Sequence, residues 1–167
     1  MNPETALCAS AAELADDDFI ARFEDCTLPN TAFHHRDHVR LAWLYLRRQP
    51  PLAALTRFVE SLQRFAHANG ADGLYHETIT WAYLFLVHER RAQGPETEAW
   101  GDFEARNPDL LTWRPSILAA YYSHETLASK LARRVFLMPD RAGGGAPLPA
   151  AGGAMGEGTG VRSQRNA

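Results

Sequence analysis

Residues 33–48 read FHHRDHVRLAWLYLRR and are followed by Gln49 and the pair Pro50-Pro51. The stretch is apolar around most of a 3.6-residue helix, which is too wide a surface for a helix with one side in water. Such a segment belongs at the centre of a helical assembly. It ends at the prolines because proline lacks the amide hydrogen a helix interior needs. Downstream, 51–68 opens on a proline that a first turn tolerates and carries Leu52, Leu55, Phe58, Val59, Leu62, Phe65 and Ala66 as one apolar stripe. It stops at Asn69-Gly70, a common helix ending.

The same reading extends to both sides. A helix over 14–24 has aspartates at its start and Phe19, Ile20 and Phe23 at helical spacing. A fourth runs from about 74 to 92, with Asp72 able to cap it and Gly94-Pro95 to stop it. Shorter pieces are expected over 96–105, 115–122 and 124–136. No run alternates apolar and polar residues between turn signals, so no strand is expected. The fold class is therefore all-α: a compact single-domain helical bundle over 10–140, with 33–48 and 74–92 at its centre. Residues 141–167 hold eight of the twelve glycines and no aromatic residue, and are expected to form a disordered Gly/Ala-rich tail.

Composition narrows the function classes. The 167 residues carry 17 basic and 20 acidic side chains, a formal charge of −3, with the arginines interspersed among acids. A nucleic-acid partner normally demands a basic stripe, so none is expected. No apolar run approaches the ~18 residues that cross a bilayer, so no membrane partner is expected either. Glu4, Glu13 and Asp16 to Asp18 near the start argue against a signal peptide, and two cysteines are too few for a disulfide framework. The expected location is cytoplasmic.

Histidine is the unusual component. There are seven, and His34, His35 and His38 fall within five residues. His34 and His38 are four apart, which on a helix stacks two imidazoles one turn apart, where they can grip one metal ion. Chance would supply roughly 0.3 such pairs in a chain of this composition, so spacing alone is weak. The same face continues through Leu41 and Ala42 to Tyr45, which turns the pair toward the bundle interior. In the second motif, YHETIT over 75–80, His76 shares a stripe with Thr80 and Tyr83, while Glu77 lies about 100° around the helix. Three nitrogens from His34, His38 and His76 would leave an open position for water or substrate, with Glu77 as ligand or general base. The plain alternatives are a hydrogen-bonded core pair for His34 and His38, and a first-turn acid for Glu77. His35 is expected on the solvent side and Asp37 in a surface pair with Arg40 or another cation. His67, His88 and His124 are explained by helix ends and wet surface. No phosphate-binding glycine loop, nucleophile elbow or H-E-x-x-H is present.

Together the strings FHHRDHVRLAWLYL, YHETITWAYLFL and YYSHETLASKLARRVFLMPD resemble a group of short bacterial helical proteins with F-x-H-x-D-H, Y-H-E-T-x-T and a later Y-Y-S…P-D. The resemblance spans about 30–140. It implies a shared site at His34, His38, His76 and Glu77, with Thr80, Ser123 and Asp140 as lesser members, and does not name the chemistry.

The expectation is thus a metal-dependent enzyme acting on a small molecule. His34, His38 and His76 would hold one divalent transition metal (zinc, iron or copper), Glu77 would be catalytic, and Tyr45, Thr80 and Tyr83 would contact substrate. The alternatives are a non-enzymatic module that binds a small molecule or forms a homodimer around a structural His/Glu cluster, and a metal-free acid–base pair of His76 and Glu77.

Overall fold

The computed structural model describes residues 11–141. Among the described residues there are eight α-helices, four short 3₁₀ turns and no strand. The helices are α1 (Asp16–Glu24), α2 (His35–Arg48), α3 (Pro51–Ala68), α4 (Glu77–Ala92), α5 (Trp100–Arg106), α6 (Pro108–Leu111), α7 (His124–Ala128) and α8 (Lys130–Arg134). The expected disordered tail lies outside the described residues except for Arg141. That residue is tied back, its amide donating to the Tyr121 carbonyl at 3.1 Å. None of these helices is long and apolar enough to cross a membrane.

α2 is the axis of the bundle and packs on both α3 and α4. Every residue from Val39 to Leu46 is buried, including Arg40. A cation survives there because its guanidinium donates to the carbonyls of Ala11 and Leu14 and to Asp16 Oδ1, at 2.9, 2.8 and 2.7 Å. The N-terminal segment is thereby fastened to the central helix. At the far end, Trp43, Trp100 and Phe103 form an aromatic cluster that brings α5 onto α2.

Boundaries differ from expectation where side chains compete for backbone groups. α2 starts at His35 because His34 stays extended, φ −113° and ψ 178°, and acts as N-cap. α4 starts at Glu77 with His76 as its N-cap; Asp72 instead opens a separate 3₁₀ turn over Asp72–Leu74. The segment expected as one helix over 124–136 is two, because the Ser129 side chain accepts the Ala132 amide and restarts the helix. The stretch 115–122 is a 3₁₀ turn over Ile117–Ala120.

α3 ends in a Schellman motif. The Ala71 amide donates to the Ala66 carbonyl at 2.8 Å and the Gly70 amide to the His67 carbonyl at 3.0 Å. Gly70 adopts φ +63°, a conformation glycine takes without the strain a Cβ would add. This turn sends the chain back past the start of α2, so that Tyr75 and His76 arrive beside Phe33 to His38.

The stretch 135–137, near the end of the described residues, is clasped to α4 by Thr78, which is fully buried. Its hydroxyl donates to the Val135 carbonyl at 2.8 Å and accepts the Leu137 amide at 3.1 Å, while Phe136 stacks on Trp81 at 5.4 Å. Thr78→Val keeps the shape and leaves both backbone groups without that partner. It should lower unfolding free energy by about 1–3 kcal/mol. Urea denaturation checks this; wild-type stability in the variant would contradict the clasp.

Candidate functional site

The starts of α2 and α4 and the second half of α3 enclose a pocket of about 440 Å³, a volume typical of small-molecule sites. Its floor is aromatic. Phe33 contacts Phe23 and Phe65 at 4.7 and 5.1 Å between ring centroids, and the His38 imidazole lies against Phe33 at 4.1 Å. Of the residues singled out in the sequence, the wall brings together His34, His38, His76, Thr80 and Tyr83. A second hollow of about 590 Å³ lies beyond Tyr75, open to solvent, where His67 pairs with Asp72 at 3.0 Å.

The histidines divide by what their ring nitrogens do. His38 Nδ1 lies 2.9 Å from the His34 carbonyl oxygen, which only accepts, so Nδ1 carries the hydrogen. Nε2 is then a bare acceptor. Burial pushes this imidazole down to about 4, against the weaker opposing effect of the backbone bond. His76 is the opposite tautomer. Its Nε2–H donates to the Leu127 carbonyl at 2.9 Å and its Nδ1 accepts the Ile79 amide at 3.3 Å. Both nitrogens are spent on backbone. His34 projects from the N-cap position and is exposed; its own amide donates to Asp37 Oδ2 at 2.9 Å, one arm of a capping box.

This donor set does not fit a three-histidine metal centre. His76 has no lone pair left, and among the described residues no three His, Cys, Asp or Glu side chains are placed to hold an ion. His38 and His35 each have the arrangement of a metal-ligating histidine, one ring nitrogen held by a backbone carbonyl and the other open. Glu77 is off the pocket wall. Its Oε2 accepts the Tyr75 hydroxyl at 2.7 Å, and that pairing, after burial itself, raises the Tyr75 pKa.

Tyr45 is not at the pocket. It lies two turns beyond His38 on nearly the same side of α2, fully buried past the pocket, and its hydroxyl donates to Glu24 Oε1 at 2.7 Å, in a cluster where Arg57 grips the same carboxylate with two bonds. The face expected to run from His34 to Tyr45 begins only at His38, because His34 is outside the helix. Asp37 is buried and committed to the cap, while Arg40 pairs with Asp16. Ser123 and Asp140 lie away from the pocket. Asp140 accepts the Ser123 amide at 2.8 Å and the hydroxyls of Ser123 and Thr126, bonds that hold its carboxyl down to about 2.

His35, expected in solvent, is a wall residue. Its Nε2–H donates to the Leu110 carbonyl at 2.9 Å, and its ring meets Tyr83 edge-on at 4.8 Å and Trp113 at 5.1 Å. Burial lowers its pKa. Helical spacing from His34 could not find this position, because its partner Leu110 is 75 residues away. Trp113 had no signal at all: it reaches the pocket from a loop.

No protein-family model matches the chain, and neither a curated protein nor a solved structure is similar to it.

His76→Ala removes a cap and strands the Leu127 carbonyl, and should cost about 1–3 kcal/mol of stability. An unchanged urea midpoint would contradict the capping role. His38 is neutral when folded and titrates near 6.5 when unfolded. Its contribution is therefore fully present above pH 6.5 and lost as pH falls from 6.5 toward 4, where the unfolded chain binds the extra proton. A proton NMR titration of the folded protein should place the His38 midpoint near 4; a midpoint at or above 6.5 would be contrary.

Proposed function

We propose that this protein binds a small organic molecule in the pocket between α2, α3 and α4, without a metal, through aromatic contact and a hydrogen bond to His38. The observation that carries this reading is the His38 ring itself: packed on Phe33 at a 39° tilt, fixed by the His34 carbonyl, and left with an unpaired Nε2 in a residue of the pocket wall. Orientation of one polar group inside an otherwise apolar concavity is the usual design of a ligand site. Binding is favoured over acid–base catalysis on two grounds. An imidazole held near 4 is a weak base at neutral pH, and the His76 and Glu77 groups that would partner it are committed to the Leu127 carbonyl, the Ile79 amide and Tyr75.

The test combines metal analysis with thermal-shift screening of the full chain, without a histidine tag, against uncharged and charged small molecules. The expected result is no stoichiometric transition metal, and stabilisation by hits that survives chelator and disappears in Ala66→Trp, which fills the pocket. A hit at about 100 times its Kd stabilises by about 2.7 kcal/mol. One equivalent of zinc, iron or copper, lost in the His34→Ala/His38→Ala variant, would overturn this reading in favour of a metalloenzyme.

A further inference from the structure

The chemistry of the wall restricts what the pocket takes. Among the described residues it contains no Asp, Glu, Lys or Arg, so nothing there compensates a formal charge carried in from water. A carboxylate or phosphate would enter without a cation to meet it, and an ammonium without an anion. Burial lowers the pKa of both His38 and His35, which works against their carrying the missing positive charge.

The polar groups that remain are mostly spent. His76 has no free nitrogen, the Tyr83 hydroxyl is paired with Ser116 Oγ at 2.8 Å, and the His35 Nε2–H is taken by Leu110. His38 Nε2 and His35 Nδ1 are left as acceptors. A ligand whose polar atom is itself only an acceptor, an ether or ketone oxygen, would place lone pair against lone pair there. A ligand with an O–H or N–H satisfies one of them. Six aromatic rings line the space, and two large apolar side chains stand partly in water beside it, Leu74 at 79% and Trp113 at 47% exposure. Those surfaces suit a flat apolar body that stacks on rings.

We infer that the ligand is an uncharged, planar aromatic molecule bearing one hydrogen-bond donor, a phenol or an aromatic N–H compound, whose donor meets His38 Nε2. This rests on the proposed binding function and adds the ligand's chemical class.

Three probes of nearly one shape test it: 2-naphthol, 2-methoxynaphthalene and 2-naphthoate, titrated calorimetrically into the full chain at pH 7.5. In the wild type, 2-naphthol should bind about tenfold more tightly than the other two, the scale of one well-made hydrogen bond. In His38→Phe, which keeps a flat ring beside Phe33 and removes the acceptor, the ratio of naphthol to methoxynaphthalene should fall to about one while the ether keeps its affinity. Equal binding of naphthol and ether in the wild type, tighter binding of naphthoate, or an undiminished preference in His38→Phe would each overturn the ligand class. In those cases, loss of binding in Ala66→Trp would leave the pocket reading standing. Absence of binding by all three probes would sink the class and count against the pocket as a ligand site. The wild-type series decides the matter even where His38→Phe does not fold.

Discussion

An α-helix begins with backbone N–H groups that have no partner within it, and in this protein two packed helices, α2 and α4, begin beside the same pocket. Meeting that need decides what the histidines do. At α4 the cap is the His76 imidazole, which takes the Ile79 amide on one nitrogen and gives its hydrogen to Leu127 on the other. At α2 the arrangement is reversed: Asp37 reaches back to the His34 amide, and the His34 carbonyl receives the hydrogen of His38. One imidazole is consumed by the cap and another is oriented by it. The open His38 acceptor is a consequence of how α2 starts.

Much of this architecture was legible in the sequence because it depends on periodicity and punctuation. The all-round apolar character of 39–46 made α2 the central helix, and Pro51 with Gly70 bracketed α3. The pocket was legible in part: the two histidine-bearing motifs do meet, since the Schellman turn after α3 returns the chain to the start of α2. What the pattern could not convey is the state of individual ring nitrogens. A spacing of four between His34 and His38 implies stacked side chains only if both are helical, and the first is not. Extending that same face to Tyr45 overshoots the pocket, because Tyr45 lies two turns beyond His38, where the face meets Glu24 and Ser61. His35 was set aside by the same geometry. Its partner, the Leu110 carbonyl, lies 75 residues away and leaves no trace in local sequence.

Charge is distributed so that the pocket stays neutral. The arginines are engaged elsewhere: Arg40 with Asp16, Arg57 with Glu24, Arg36 with Glu104, and Arg106 with Glu98. Most of these pairs are partly solvated and contribute little individually to stability, but they hold α1, α3 and α5 in register around α2. Asp37, buried near the pocket, is spent on the α2 cap. The concavity therefore differs from the surface around it in kind: outside, paired charges; inside, rings and polar groups without an Asp, Glu, Lys or Arg among them.

The central claim is that His38 and His76 are opposite tautomers, one with an open nitrogen and the other with none. Long-range ¹H–¹⁵N correlation spectra of the uniformly labelled protein at pH 7 read this directly, with His38→Gln and His76→Gln giving the assignments. The account predicts His38 protonated on Nδ1 alone and His76 on Nε2 alone, both unchanged when zinc is added. A His38 ring protonated on Nε2 or on both nitrogens, or a His76 ring that binds zinc through a nitrogen, would contradict it.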